Sequence, residues 1–130
     1  MSDDPATWIV AVLQAGTAVG IAVFWVTWLR SPPKDPWLPA GFVEHERAFV
    51  LPDGLLALLL LGSAVLSVLQ HALGASLALV AAGMLLFLGL IDAAYFARTG
   101  LFARDRGGRG NLGVVLWMLL LATTLLVRHL

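Results

Sequence analysis

No cysteine occurs in this chain of 130 residues, tyrosine occurs once, and charged residues are scarce. The missing cysteines exclude disulfides, thiolate metal sites and dithiol redox chemistry. Charged side chains make up 12% of the sequence, against about a quarter in a soluble domain. Their distribution is more telling than their number: from Gly54 to Ile91 there is no Asp, Glu, Lys or Arg at all. Apolar residues stand in their place, 60% of the chain with a mean hydropathy of +0.91. A soluble core has no use for that much apolar surface, whereas a bilayer does. About 20 residues cross a ~30 Å hydrocarbon layer, so the charge-free run is roughly twice one span and must fold back. Gln70, His71 and Gly74 mark the bend.

The pattern predicts an all-α, integral membrane four-helix bundle forming one domain over residues 1–130. Helices are expected at about 8–29, 52–71, 74–98 and 111–127. Trp8 at one end of the first helix and Trp25 and Trp28 at the other occupy positions where interfacial aromatics belong. Pro32, Pro33, Pro36 and Pro39 forbid its continuation, and Pro52 suits the start of the next helix. The Pro-rich connection also holds Trp37, Leu38, Phe42 and Phe49. A loop so apolar is expected to lie on the membrane or to fold back over the helix ends. Met1 to Thr7 lack the basic region of a cleaved signal, so the first helix is read as retained. Arg30, Lys34 and Arg47 lie in or beside the first connection, and Arg98, Arg104, Arg106 and Arg109 in or beside the third. Only Arg128 falls on the other side. The positive-inside rule then puts both loops in the cytoplasm and both termini outside, as a multi-pass protein of the cell (inner) membrane.

Small and polar residues mark protein-facing stripes in lipid, because acyl chains already satisfy leucine. Asp53 shares its stripe with Ala57, Ala64, Ser67 and His71, and Asp92 shares its own with Gly74, Ala78, Ala81, Gly89 and Tyr95. Gly62 and Gly83 fall on the outer sides. Antiparallel packing brings the two acids to one depth near the cytoplasmic end. Asn111, Thr27 and Trp28 share that layer, and Glu44-His45-Glu46-Arg47 lies just below it.

Asp92 is the strongest candidate, since an intramembrane carboxylate costs several kcal/mol unless paired or functional. The structural alternatives are an ion pair with Arg47 or Arg98, or a protonated acid hydrogen-bonded to a neighbouring helix. Asp53 sits in a first helical turn, where an acid favours the helix dipole, and capping alone explains it. His71 suits a polar cap on the hairpin turn. The ligand-binding set is therefore Asp92, Asp53, Glu46, Arg47, Tyr95 and Asn111, with no metal and no cofactor implied. Gly16 and Gly20 form a G-x-x-x-G that allows close helix contact within the bundle, with a second copy, or with a partner membrane protein. The basic run Arg104 to Gly110 lacks the Gly-Lys-Ser/Thr ending of a P-loop. Anionic headgroups account for its charge, and no nucleic-acid module is present.

The segment Glu46-Arg47-Ala48-Phe49-Val50-Leu51-Pro52-Asp53, its charge-free helix and the later Gly89-Leu90-Ile91-Asp92 resemble small bacterial four-helix integral membrane proteins. That resemblance implies the architecture and no activity. The layout is also similar to the EXPERA class, which includes sterol isomerases and sterol-binding receptors with acids in a cavity between helices. Only the helix count and the intramembrane acids carry that likeness, so no residue's role transfers. The leading expectation is an acid-lined pocket near the cytoplasmic leaflet that binds or moves a lipid-like or amphipathic molecule. The alternatives are an isomerase-like enzyme using Asp92 or Glu46 for proton transfer, and an accessory subunit without a ligand.

Overall fold

The structure, a computed structural model, describes residues Met1 to Leu130. It is all-helical: α1 (Pro5–Arg30), α2 (Phe42–Arg47), α3 (Val50–Val68), α4 (Leu73–Thr99) and α5 (Gly108–His129), with one 3-10 turn at Arg104–Arg106. Four stretches, Pro5–Arg30, Phe42–Val68, Leu73–Thr99 and Gly108–His129, are long and apolar enough to cross a membrane. These are the dimensions and composition of a multi-pass membrane protein.

Local chemistry sets the helix ends. Asp4 caps α1 by accepting from the Ala6 N–H at 3.0 Å, and Pro5 follows at the first helical position, where its missing N–H costs nothing. The short helix α2 falls inside the stretch read from sequence as loop. It stops at Arg47 because Pro52 offers no N–H to the Ala48 carbonyl and its ring crowds that same group. The first regular bond beyond the break runs from Asp53 N to Phe49 O at 2.8 Å. At the far end of α3, Gln70 adopts a left-handed φ of 59°. Gln70 N then reaches Ser67 O at 3.1 Å and His71 N reaches Leu66 O at 2.8 Å, the paired bonds of a Schellman closure. His71 Nδ1 accepts from Leu73 N at 3.1 Å, so this histidine caps the turn, as its position suggested.

Packing runs in sequence, α1 on α3, α3 on α4 and α4 on α5, while α1 and α5 barely touch. The core joins Leu56 and Leu60 of α3 to Ala78, Ala81, Ala82 and Leu85 of α4 and to Leu121, Ala122 and Leu125 of α5. The alanines let the backbones approach closely, the main source of helix association in lipid. Gly89 serves the same end, since a Cβ there would sit 3.3 Å from Leu119 Cδ2. Leu58, Phe87, Leu90 and Leu120 point outward, as a lipid-facing surface requires.

Both termini lie at one end of the bundle and are tied there. Ser2 N donates to Val68 O at 2.7 Å, Trp8 Nε1 donates to Ser2 O at 2.9 Å, and Arg128 donates to both Asp4 and Thr7. The Arg128 hydrogen bond is the main reason the Asp4 carboxyl is held below its ordinary 3.8, with the Ala6 N–H adding to it. A depressed carboxyl contributes stability above its unfolded pKa and loses it as pH falls through the folded one. Thermal unfolding from neutral to acid pH should therefore show a small advantage of the native chain over Asp4→Asn, vanishing below 3.8. The advantage is small because the pair is exposed to solvent. A difference that persisted unchanged into acid would exclude the clasp as its source.

Candidate functional site

The weak α1–α5 seam opens into a cavity of about 880 Å³, within the size range of small-molecule sites. Its wall is apolar, with Leu13, Ile21, Phe24, Leu56, Leu85, Phe96, Val114 and Met118. Its polar floor holds Glu46 of α2, Asp53 of α3, Asp92 of α4 and Asn111 of α5. The connection between α1 and α2 folds over the same end, with Pro33, Asp35, Trp37 and Leu38 in the lining. Half-way along the seam, Trp117 Nε1 donates to Thr17 Oγ1 at 2.9 Å and bridges α1 to α5.

Each acid arrives by a different local rule. Asp53 follows the Pro52 break by one residue, so the start of α3 aims it toward α1. There its Oδ2 accepts from Trp25 Nε1 at 2.9 Å. Asp53 does lie in the first turn of α3, where the helix dipole favours an acid, but it is not the cap: Phe49 is the N-cap, with no side-chain cap bond. The Trp25–Asp53 bond corrects the view of Trp25 and Trp28 as interfacial anchors. Both are buried, at 6% and 8% exposure, and their rings meet edge to face. Asp92 reaches the cavity on the stripe of Gly74, Ala78, Ala81 and Gly89, all four buried. Glu46 comes from α2, which sequence periodicity missed. Its Oε1 is buried without a partner.

No cation pairs with any of these carboxyl groups. The molecule's one ion pair is Arg128–Asp4 at the opposite end, so the alternative pairing of Asp92 with Arg47 or Arg98 does not form. Arg106 touches the cavity mouth but is exposed. No three acidic or histidine side chains gather closely enough to hold a metal ion.

Two residues of the expected set fall elsewhere. Arg47 is exposed and outside the lining. Tyr95 stacks on His45 with ring centroids 3.9 Å apart and lies near Phe42. It thus fastens α2 to α4 rather than facing the cavity. Thr27, placed at the same depth by counting, turns outward and bonds Val23 O and Phe24 O of its own helix. Gly16 and Gly20 pack against no helix: a Cβ at either would meet nothing within 4 Å. They line the cavity instead, as do Gly110 and Gly113 of α5.

No family model, curated protein or solved structure matches this chain. The site therefore has to be interpreted from its own chemistry.

One polar cluster went unnoticed in the sequence. Gln14 Nε2 donates to Ser63 Oγ at 3.0 Å, and Ser63 Oγ donates to Gly74 O at 2.8 Å. Gln14 and Ser63 are fully buried and join α1, α3 and α4. A second cavity of about 360 Å³ beside Gln14 and Ser67 opens toward the termini. The available signal was a single amide inside an otherwise apolar α1, since interhelical polar contacts bind helices in lipid.

Proposed function

We propose that this chain is a multi-pass protein of the cell (inner) membrane whose acid-lined cleft binds a lipid-like or amphipathic small molecule, or moves it between leaflet and cytoplasm. One observation carries this reading: Glu46, Asp53 and Asp92 share an apolar cavity with no paired cation. An unpaired acid in a membrane is costly, and three in one cavity mark a site rather than an accident of packing. The positive-inside rule orients the bundle with this cavity toward the cytoplasmic leaflet and the Asp4–Arg128 clasp outside. The apolar wall suits a hydrocarbon body, and the acid floor suits a head group that is basic or donates hydrogen bonds.

The test is thermal unfolding of the purified protein in nanodiscs against a panel of amphiphiles. A ligand that raises the Tm of the native chain should bind Asp92→Asn about tenfold more weakly, close to 1.4 kcal/mol. Without ligand, the two proteins should unfold at similar temperatures, because Asp92 makes no ion pair to lose. Equal ligand-induced shifts in the two proteins would remove Asp92 from the site. No shift with any member of the panel would remove the binding reading itself.

A further inference from the structure

The cleft narrows its own occupant, in an inference that rests on the binding reading above. We propose that the ligand is a cationic long-chain amine with one unbranched tail, and that it enters sideways from the bilayer between α1 and α5.

The head group follows from charge. Four carboxyl groups line the cavity, Glu46, Asp53 and Asp92 half-buried at its floor and Asp35 exposed in the folded connection, and the one cation of the lining, Arg106, is exposed and pairs with none of them. A fatty acid or anionic phospholipid would add a further like charge in a medium of low dielectric, where repulsion is least screened. An alkylammonium carries three N–H donors and no acceptor, and Glu46 Oε1 is a buried acceptor without a donor. A primary amine of lysine-like basicity, near 10.4, is charged at neutral pH. One carboxylate serves as its direct partner.

The tail and the route follow from shape. Trp25, bonded to Asp53, marks the acid depth on α1, and Val12 is the outermost α1 residue of the lining. The thirteen steps between them span about 20 Å at 1.5 Å each, room for an extended chain. Along this length Gly16 and Gly20 of α1 and Gly110 and Gly113 of α5 line the cleft, and none of the four would bring a Cβ within 4 Å of another group. All four are exposed, so beside the Trp117–Thr17 bridge the seam carries no side chain at these positions and lies open to acyl chains. The folded Pro33–Leu38 segment covers the end of the cleft, which leaves the seam as the wide approach.

Three tryptophans of the lining, Trp28, Trp37 and Trp117, report occupancy. The probes are tail-brominated dodecylamine, dodecanol and dodecanoate, added to the protein in neutral-lipid nanodiscs, with tryptophan quenching as the readout. Dodecylamine should quench saturably, with a Kd at least tenfold below that of dodecanol. Dodecanoate should give only the linear quenching of a lipid-dissolved probe. Gly20→Leu combined with Gly113→Leu should abolish saturable quenching by the amine without lowering the unfolding temperature, because a Cβ at either position meets nothing within 4 Å. Saturable binding of dodecanol or dodecanoate at equal or better affinity would overturn the amine and leave the binding reading standing. Amine quenching that survives the double substitution would overturn the sideways route. Absence of saturable quenching by all three, with no shift in the amphiphile panel, would defeat the underlying reading as well. Cross-linked dimers of the native chain that disappear in the double variant, without saturable quenching, would assign the seam to a second copy and overturn the proposal.

Discussion

Gly108→Ala is expected to destabilise the protein by more than about 3 kcal/mol, in the range reserved for severe steric conflict. A Cβ at this position would fall on the Phe102 carbonyl and lie 2.5 Å from Ala103 O. Those neighbours are backbone, so no rotamer change relieves the overlap. The turn has little freedom to shift. Gly108 N donates to Ala103 O at 2.9 Å, Leu101 is buried and bonds Phe96 O, and Asn111 Nδ2 holds Leu101 O at 2.7 Å. Opening it would pull Asn111 away from the cleft and loosen α4 from α5. Gly110→Ala, two residues on, places its methyl group in open space and should stay within about 0.5 kcal/mol of the native chain. Recovery of monodisperse protein after graded heating in detergent compares the two. Equal survival of both variants would refute the close approach at Gly108.

The second large effect is expected at the buried Gln14–Ser63 pair, and it is asymmetric. Ser63→Ala leaves the buried Gln14 Nε2 without its protein partner, a loss of about 1–3 kcal/mol. Gln14→Leu removes the donor together with its already unpartnered Oε1, while Ser63 keeps its bond to Gly74 O. It should therefore cost less than Ser63→Ala. The double variant should be more stable than Ser63→Ala alone, since both halves of the exposed mismatch are gone. Unfolding in a denaturing detergent series reads the cycle. A larger loss from Gln14→Leu than from Ser63→Ala would show that the amide contributes chiefly by packing.

The two predictions show what linear patterning can and cannot reveal. Helix number, the hairpin at Gln70–His71 and the inward stripe of α4 were legible because they rest on local rules. Hydrophobic length sets the spans, and a helical repeat puts Gly74, Ala78, Ala81 and Gly89 on the side of Asp92. Ends were less legible: α1 begins at Pro5 and α5 runs to His129, because apolar content does not mark where capping starts or stops. The helix α2 was hidden because Phe42–Arg47 is too short to show a period. The Pro52 that breaks the helix at Ala48 also disguised α2 as part of the loop.

Residue chemistry on its own pointed to Asp92, Asp53, Glu46 and Asn111, since acids and amides in an apolar chain need a place out of lipid. Arg47 and Tyr95 were chosen by adjacency in sequence and depth, and rotation about the helix axis sends them elsewhere. The partnership of Trp25 with Asp53 joins residues 28 apart, and the Gln14–Ser63 bond joins residues 49 apart. No periodicity encodes such pairs.

Sequence alone therefore determined the solvent this chain prefers, its number of crossings and the side of α4 that carries a carboxyl group, because each follows from transfer free energy and a fixed helical repeat. Only the tertiary structure decided that α1 and α5 stay apart, that their glycines line a slit instead of a contact, and that no arginine reaches the acids. Those outcomes depend on how three interfaces share the available surface, and the sum of close packing along α3 and α4 leaves the last seam unfilled.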